Sequence, residues 1–96
     1  MIINKMSKLS ERIIQKIQED ILFTLYQSSP KLLFANNVAE EIGRDNELII
    51  KMLFQLKEKG LVKSINLSNQ GKMYVKRQRW TLTDDAYSAY NNLAKP

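Results

Sequence analysis

Cysteine and histidine are both missing from the 96 residues, and their joint absence removes most of the usual site chemistry. Without cysteine there is no disulfide and no thiolate metal site, and a reducing interior is compatible with the chain. Without histidine, the commonest general base and the commonest remaining metal ligand are gone. Carboxylates, Lys and Tyr are left, and no pair of them stands at a recognisable catalytic spacing. The expectation is a protein that is not an enzyme and uses no metal and no cofactor. Proline and glycine are scarce, at two and three residues, and no repeat, low-complexity stretch or linker is visible. No apolar run approaches the ~18 residues of a membrane span. The opening MIINKMSKLSERII has neither a continuous apolar core nor a small-residue cleavage site. A soluble, cytoplasmic chain with no membrane contact is expected.

One absence is local. From Lys59 to Thr83 there is no acidic residue, while six basic ones occur: Lys59, Lys63, Lys72, Lys76, Arg77 and Arg79. A surface built from this segment is positive. Over the whole chain fifteen Lys plus Arg stand against ten Asp plus Glu, a net charge of +5, which favours an anionic partner through long-range attraction. Nucleic acid is the leading candidate. With 44% hydrophobic residues, a chain of this size suits one compact domain that buries roughly 60 to 65% of its unfolded surface.

The elements follow from periodicity and punctuation. Ile13, Ile14, Ile17, Ile21, Leu22 and Leu25 recur at three and four, with Ser10 as cap and Glu11 in the first turn, so a first helix runs to Ser28-Ser29-Pro30. Lys31 to Ala35 is a short apolar run. Asn37 with Glu40 has capping-box spacing and opens a short second helix carrying Val38, Ala39 and Ile42, which Gly43 stops. Asp45 caps a third helix with Leu48, Ile49, Met52, Leu53 and Leu56 inward, ending at Lys57-Glu58-Lys59-Gly60. Leu61 to Leu67 and Lys72 to Leu82 read as strands around a Ser68-Asn69-Gln70-Gly71 turn. Thr83 caps a last helix, with Asp84 and Asp85 in its first turn and Ala86, Tyr90 and Leu93 on one stripe.

LKEKGLV (Leu56 to Val62) leading into the basic hairpin, and RWTLTDDA (Arg79 to Ala86) leading out of it, resemble winged helix-turn-helix domains, most closely the small stand-alone type of archaea and their viruses. The resemblance covers roughly Ser10 to Leu93. It implies an α+β, mostly helical fold: a three-helix core, a β-hairpin wing and a C-terminal helix. The expected single domain, 1–96, comprises an N-terminal extension at 1–9, a helix-turn-helix at 37–60, the wing at 61–82 and the last helix at 83–94. Lys31 to Ala35 then supplies a small third strand.

In such domains the third helix lies in the major groove of double-stranded DNA and the wing reaches an adjacent groove or the backbone. The resemblance thus puts Asn46, Glu47, Ile50, Lys51 and Phe54 on the DNA side, with Asn46 reading a base edge or phosphate and Lys51 a phosphate or guanine. Each also reads as an ordinary solvated helix residue. Ile50 and Phe54 widen the apolar arc of this helix beyond half its circumference, which suits thymine contacts, cover by the wing or a partner, or a protein-docking groove. Strand alternation separates Met73, Val75, Arg77 and Arg79 from Tyr74, Lys76, Gln78, Trp80 and Leu82, with Trp80 and Leu82 expected in the core. Lys63, Lys72, Lys76, Arg77 and Arg79 neutralise phosphates, and Asn69 and Gln70 at the tip bond phosphates or sugars. The function implied is a DNA-binding regulator or small chromatin protein, with a protein-interaction module as the alternative. Ile2, Ile3, Met6, Leu9 and Tyr87 have no evident role in one domain, so a homodimer is expected.

Overall fold

Ser10 starts the first helix as its sequence suggests: its hydroxyl accepts from the Ile13 N–H at 3.2 Å, replacing one of the hydrogen bonds a helix N-terminus lacks. In the computed structural model, which describes residues 10–66 and 78–94, this helix, α1, is Glu11–Ser28. It buries Ile17, Ile21 and Leu25, each such side chain contributing about 1.5–3 kcal/mol. A two-residue strand, β1 (Leu33–Phe34), follows.

Helix α2 is Ala35–Ile42, capped at Phe34, three residues ahead of the cap expected at Asn37. Asn37 is therefore at the third helical position, where its Oδ1 accepts from the Phe34 N–H at 3.1 Å. That is the reach-back half of a capping box; Phe34 itself has no acceptor to offer. Gly43, at φ 81°, lets the Gly43 and Arg44 N–H groups both return to the Ala39 carbonyl.

Helix α3 is Asn46–Glu58, capped by Asp45, whose Oδ2 accepts from the Glu47 and Leu48 N–H groups at 3.1 and 3.3 Å. It buries Ile49, Met52, Leu53 and Leu56, with Leu48 half-buried. Its end is a Schellman motif. Gly60, at φ 80°, donates to Lys57 O, and Leu61 N–H donates to Leu56 O, both at 3.0 Å. The LKEKGLV segment thus turns the helix into a strand. Buried Gln18 of α1 ties α3 in place: its Nε2 donates to Gln55 Oε1 at 3.1 Å, and Lys59 Nζ donates to its Oε1 at 3.3 Å.

Strands β2 (Val62–Asn66) and β3 (Gln78–Leu82) form with β1 an antiparallel sheet of order β1-β3-β2. The register pairs Leu33 and Ser64 with Trp80, and Phe34 and Ile65 with Arg79. Gln78, Trp80 and Leu82 are buried together, matching the expected alternation. The turn at 68–71, the remainder of the second strand up to Arg77, and the extension carrying Ile2, Ile3, Met6 and Leu9 lie outside the described residues.

Thr83 closes the base of this excursion. Its hydroxyl donates to Gly60 O at 2.9 Å and accepts from the Ala86 N–H at 3.2 Å, capping α4 (Asp84–Ala94). Helix α4 meets α1 through tyrosines: the Tyr26 ring is 5.3 Å from Tyr87 and 5.1 Å from Tyr90, and Tyr26 OH donates to Asn91 Oδ1 at 3.2 Å. Ala86 is buried and Tyr90 half-buried, but Leu93, expected on the same inward stripe, is 83% exposed. It lies half a turn beyond Asn91, past these contacts with α1.

Candidate nucleic-acid interface

At about 100° per residue, the core arc of α3 is centred near Leu56 and its outward pole falls at Glu47 and Glu58, with Lys51 on one side of them and Phe54 on the other. Glu47, Lys51 and Glu58 are exposed. This outward face carries one net negative charge, and Lys51 is the cation expected there.

Asn46, Ile50, Phe54 and Lys57 share the flank that leans toward the sheet. Ile50 and Phe54 are half-buried against the core, and the Phe54 ring meets Trp80 edge-on, centroids 5.2 Å apart at 87°. Of the readings open for Ile50 and Phe54, cover within the domain is the one borne out: both pack on the core, and for Phe54 the cover is the wing strand. Asn46 is half-buried as well. Its Oδ1 is shielded and without a hydrogen-bond partner among the described residues, as are Gln78 Oε1 and Trp80 Nε1. Asn46, the first residue of the helix, therefore does not present that oxygen outward.

On the sheet, Lys63 is exposed on the same side of the pleat as Arg79, Ile65 and Phe34. Arg79 is half-buried, with its guanidinium 5.0 Å from the centroid of the Phe34 ring, a cation–π geometry. Among the described residues of β2 and β3, Lys63 and Arg79 are the charged side chains, so the cationic character read for this segment is present at its root. Asn69, Gln70, Lys72, Lys76 and Arg77 lie outside the described residues. The structure brings Lys63 and Arg79 onto one sheet face and leaves Lys51 apart on the helix.

Sequence reasoning passed over Lys57. Its Nζ donates to Ser64 Oγ at 3.2 Å and lies 5.8 Å from the Phe54 centroid, joining α3 to β2. A Lys in the last helical turn reads from sequence as a partner of the helix dipole, and only the strand register brings Ser64 to it.

Neither a family model nor a curated protein sequence matches the chain. Solved structures do. An apo variant of ZitR from Lactococcus lactis is 24% identical with a TM-score of 0.65, over 86% of this chain and 58% of that one. The fold is a winged helix. A MepR variant from S. aureus bound to an oligodeoxyribonucleotide is 21% identical with a TM-score of 0.63, over 80% of this winged helix and 55% of the MepR chain. The Zα domain of PKZ from Carassius auratus, in complex with Z-DNA, is 24% identical with a TM-score of 0.59, over 74% of this chain and 98% of that one. The winged helix described here spans little more than half the length of the ZitR chains it matches.

Proposed function

We propose that the protein binds double-stranded DNA, without chemistry, as a transcriptional regulator or small chromatin-associated protein inside the cell. The observation that carries this reading is the cationic sheet: Lys63 and Arg79 on one face, within a segment holding six cations and no acid. The MepR and Zα structures, which hold nucleic acid in chains of the same fold, support it. Helix α3 enters the major groove with Lys51 reaching a phosphate or guanine. Lys63 and Arg79, with Lys72, Lys76 and Arg77 of the wing, neutralise phosphates, and Asn69 and Gln70 bond backbone oxygens. Glu47 and Glu58 oppose the phosphates, so affinity comes mainly from the wing and sequence preference from few helix contacts. The alternative of a protein-docking module loses its main argument, because Ile50 and Phe54 already pack against the domain's own core.

Fluorescence anisotropy with duplex DNA at rising salt tests the proposal. Tight binding at low salt with a steep log–log decline is expected; weak binding that ignores salt refutes it. The reading includes a homodimer. Phe23, Tyr87 and Leu93 are 49, 40 and 83% exposed on α1 and α4, and a two-fold pairing there allows two α3 helices to stand roughly 34 Å apart on a palindromic site. Sedimentation equilibrium that reads one chain mass at every concentration overturns the dimer.

A further inference from the structure

We infer that Lys57 and Ser64 form a phosphate-holding pair at the seam between α3 and β2, an inference that rests on the DNA-binding reading above. Lys57 is exposed, and the ion pair found among the described residues is Lys16 with Asp20, so no carboxylate of the described residues neutralises it. Its ammonium is nevertheless held, by the Ser64 hydroxyl at 3.2 Å and the Phe54 ring at 5.8 Å. Both holders are anchored in the core. Phe54 packs on fully buried Trp80, and Ser64 stands opposite Trp80 in the sheet register.

The donor count favours an anion. A lysine ammonium has three protons and gives one to Ser64; the serine oxygen accepts it, and its own proton has no acceptor among the described residues. Two donors therefore converge within 3.2 Å, facing solvent, where a backbone phosphate offers several acceptor oxygens. Much of the rotamer freedom a surface lysine loses on binding is already lost here. The site lies where the recognition helix passes into the wing, so one phosphate held there fixes the duplex against both elements.

The experiment is duplex binding by anisotropy at several salt concentrations between about 50 and 200 mM. Lys57→Met keeps the aliphatic stem on Phe54 and removes the charge; it is expected to flatten the log–log salt slope by about 0.9, while Lys57→Arg keeps the parent slope. Ser64→Ala removes a neutral donor, so lower affinity at an unchanged slope is expected. A Lys57→Met protein with the parent slope overturns the site, and a Ser64→Ala protein with the parent affinity overturns the pairing. If the parent protein ignores duplex DNA altogether, the DNA-binding reading fails and this pair with it.

Discussion

The outward face of α3 and the sheet face that carries Lys63 and Arg79 differ in their electrostatics. The helix presents Glu47, Lys51 and Glu58; the described strands present Lys63 and Arg79. The backbone accounts for much of the difference. A helix N-terminus is stabilised by anions, and here Asp45 caps it while Glu47 sits in its first turn. Those acids favour the helix but oppose a phosphate approaching the same end. A β-strand has almost no net dipole, so cations on it meet no such conflict, and on the edge strand β2 Lys63 also discourages edge-to-edge pairing. In this domain the outward face of α3 is built for helix stability, and the strands carry the charge.

The comparison presumes that the two regions move as one body, joined through Phe54 and Trp80. Trp80→Ala is accordingly expected to have the largest effect, a loss of about 3–5 kcal/mol in urea unfolding. An unchanged midpoint would separate helix from sheet. The division of charge is sharpened next by salt titrations. The double substitution of Lys63 and Arg79 by Ala should flatten the log–log slope by about 1.8, against about 0.9 for Lys51→Ala, which alone should cost ~1–3 kcal/mol of discrimination between sequences. A larger slope change at Lys51 would invert the comparison.

Glu47→Gln tests the conflict itself. Tighter DNA binding is expected together with a stability loss of about 0.3–1 kcal/mol, and weaker binding would show Glu47 contacting a base. The smallest effect lies away from both faces. Burial, then the carboxylates of Glu19 and Asp20, raise the Tyr90 hydroxyl above its ordinary value of 10.0. The folded state therefore holds this proton more tightly than the unfolded chain does, and the contribution is complete below pH 10 and lost as pH rises through the folded-state value. Alkaline unfolding of Tyr90→Phe should start from a lower stability near neutrality but decline less above pH 10; equal declines would show that the Tyr90 hydroxyl contributes nothing to the pH dependence.

Much of this molecule was legible in its sequence because its element boundaries rest on local chemistry. Ser10, Asp45 and Thr83 cap with their own oxygens, and Gly43 and Gly60 supply positive φ where two helices end. The start of α2 was misread because Asn37 can serve as a cap or reach back from inside the helix, and the true boundary residue, Phe34, has no polar side chain to mark it. Periodicity puts Leu93 on one stripe with Ala86 and Tyr90, but it carries no information about where along that stripe the packing against α1 stops, and Leu93 is exposed. The excess apolar arc of α3 was visible in Ile50 and Phe54, whereas its cover, Trp80, comes from 26 and more residues further along the chain and is fixed only by the sheet register. Lys57 was missed for the same reason, its partner Ser64 being set by tertiary structure.

The Thr83 clasp has a consequence for how such a chain can diversify. With the hydroxyl bonded to Gly60 O and the Thr83 N–H bonded to Leu61 O at 3.1 Å, both ends of the hairpin are pinned at its root, independently of what lies at its tip. Doubling the length of a loop closed in this way costs only about 0.6 kcal/mol in chain entropy. Insertions, deletions or wholesale replacement of the tip are therefore cheap for the scaffold, while Thr83→Val, which removes the clasp and the helix cap together, is not. The domain is arranged as a socket with an exchangeable blade, in which the hairpin tip can drift in sequence and length while the frame that holds it stays fixed.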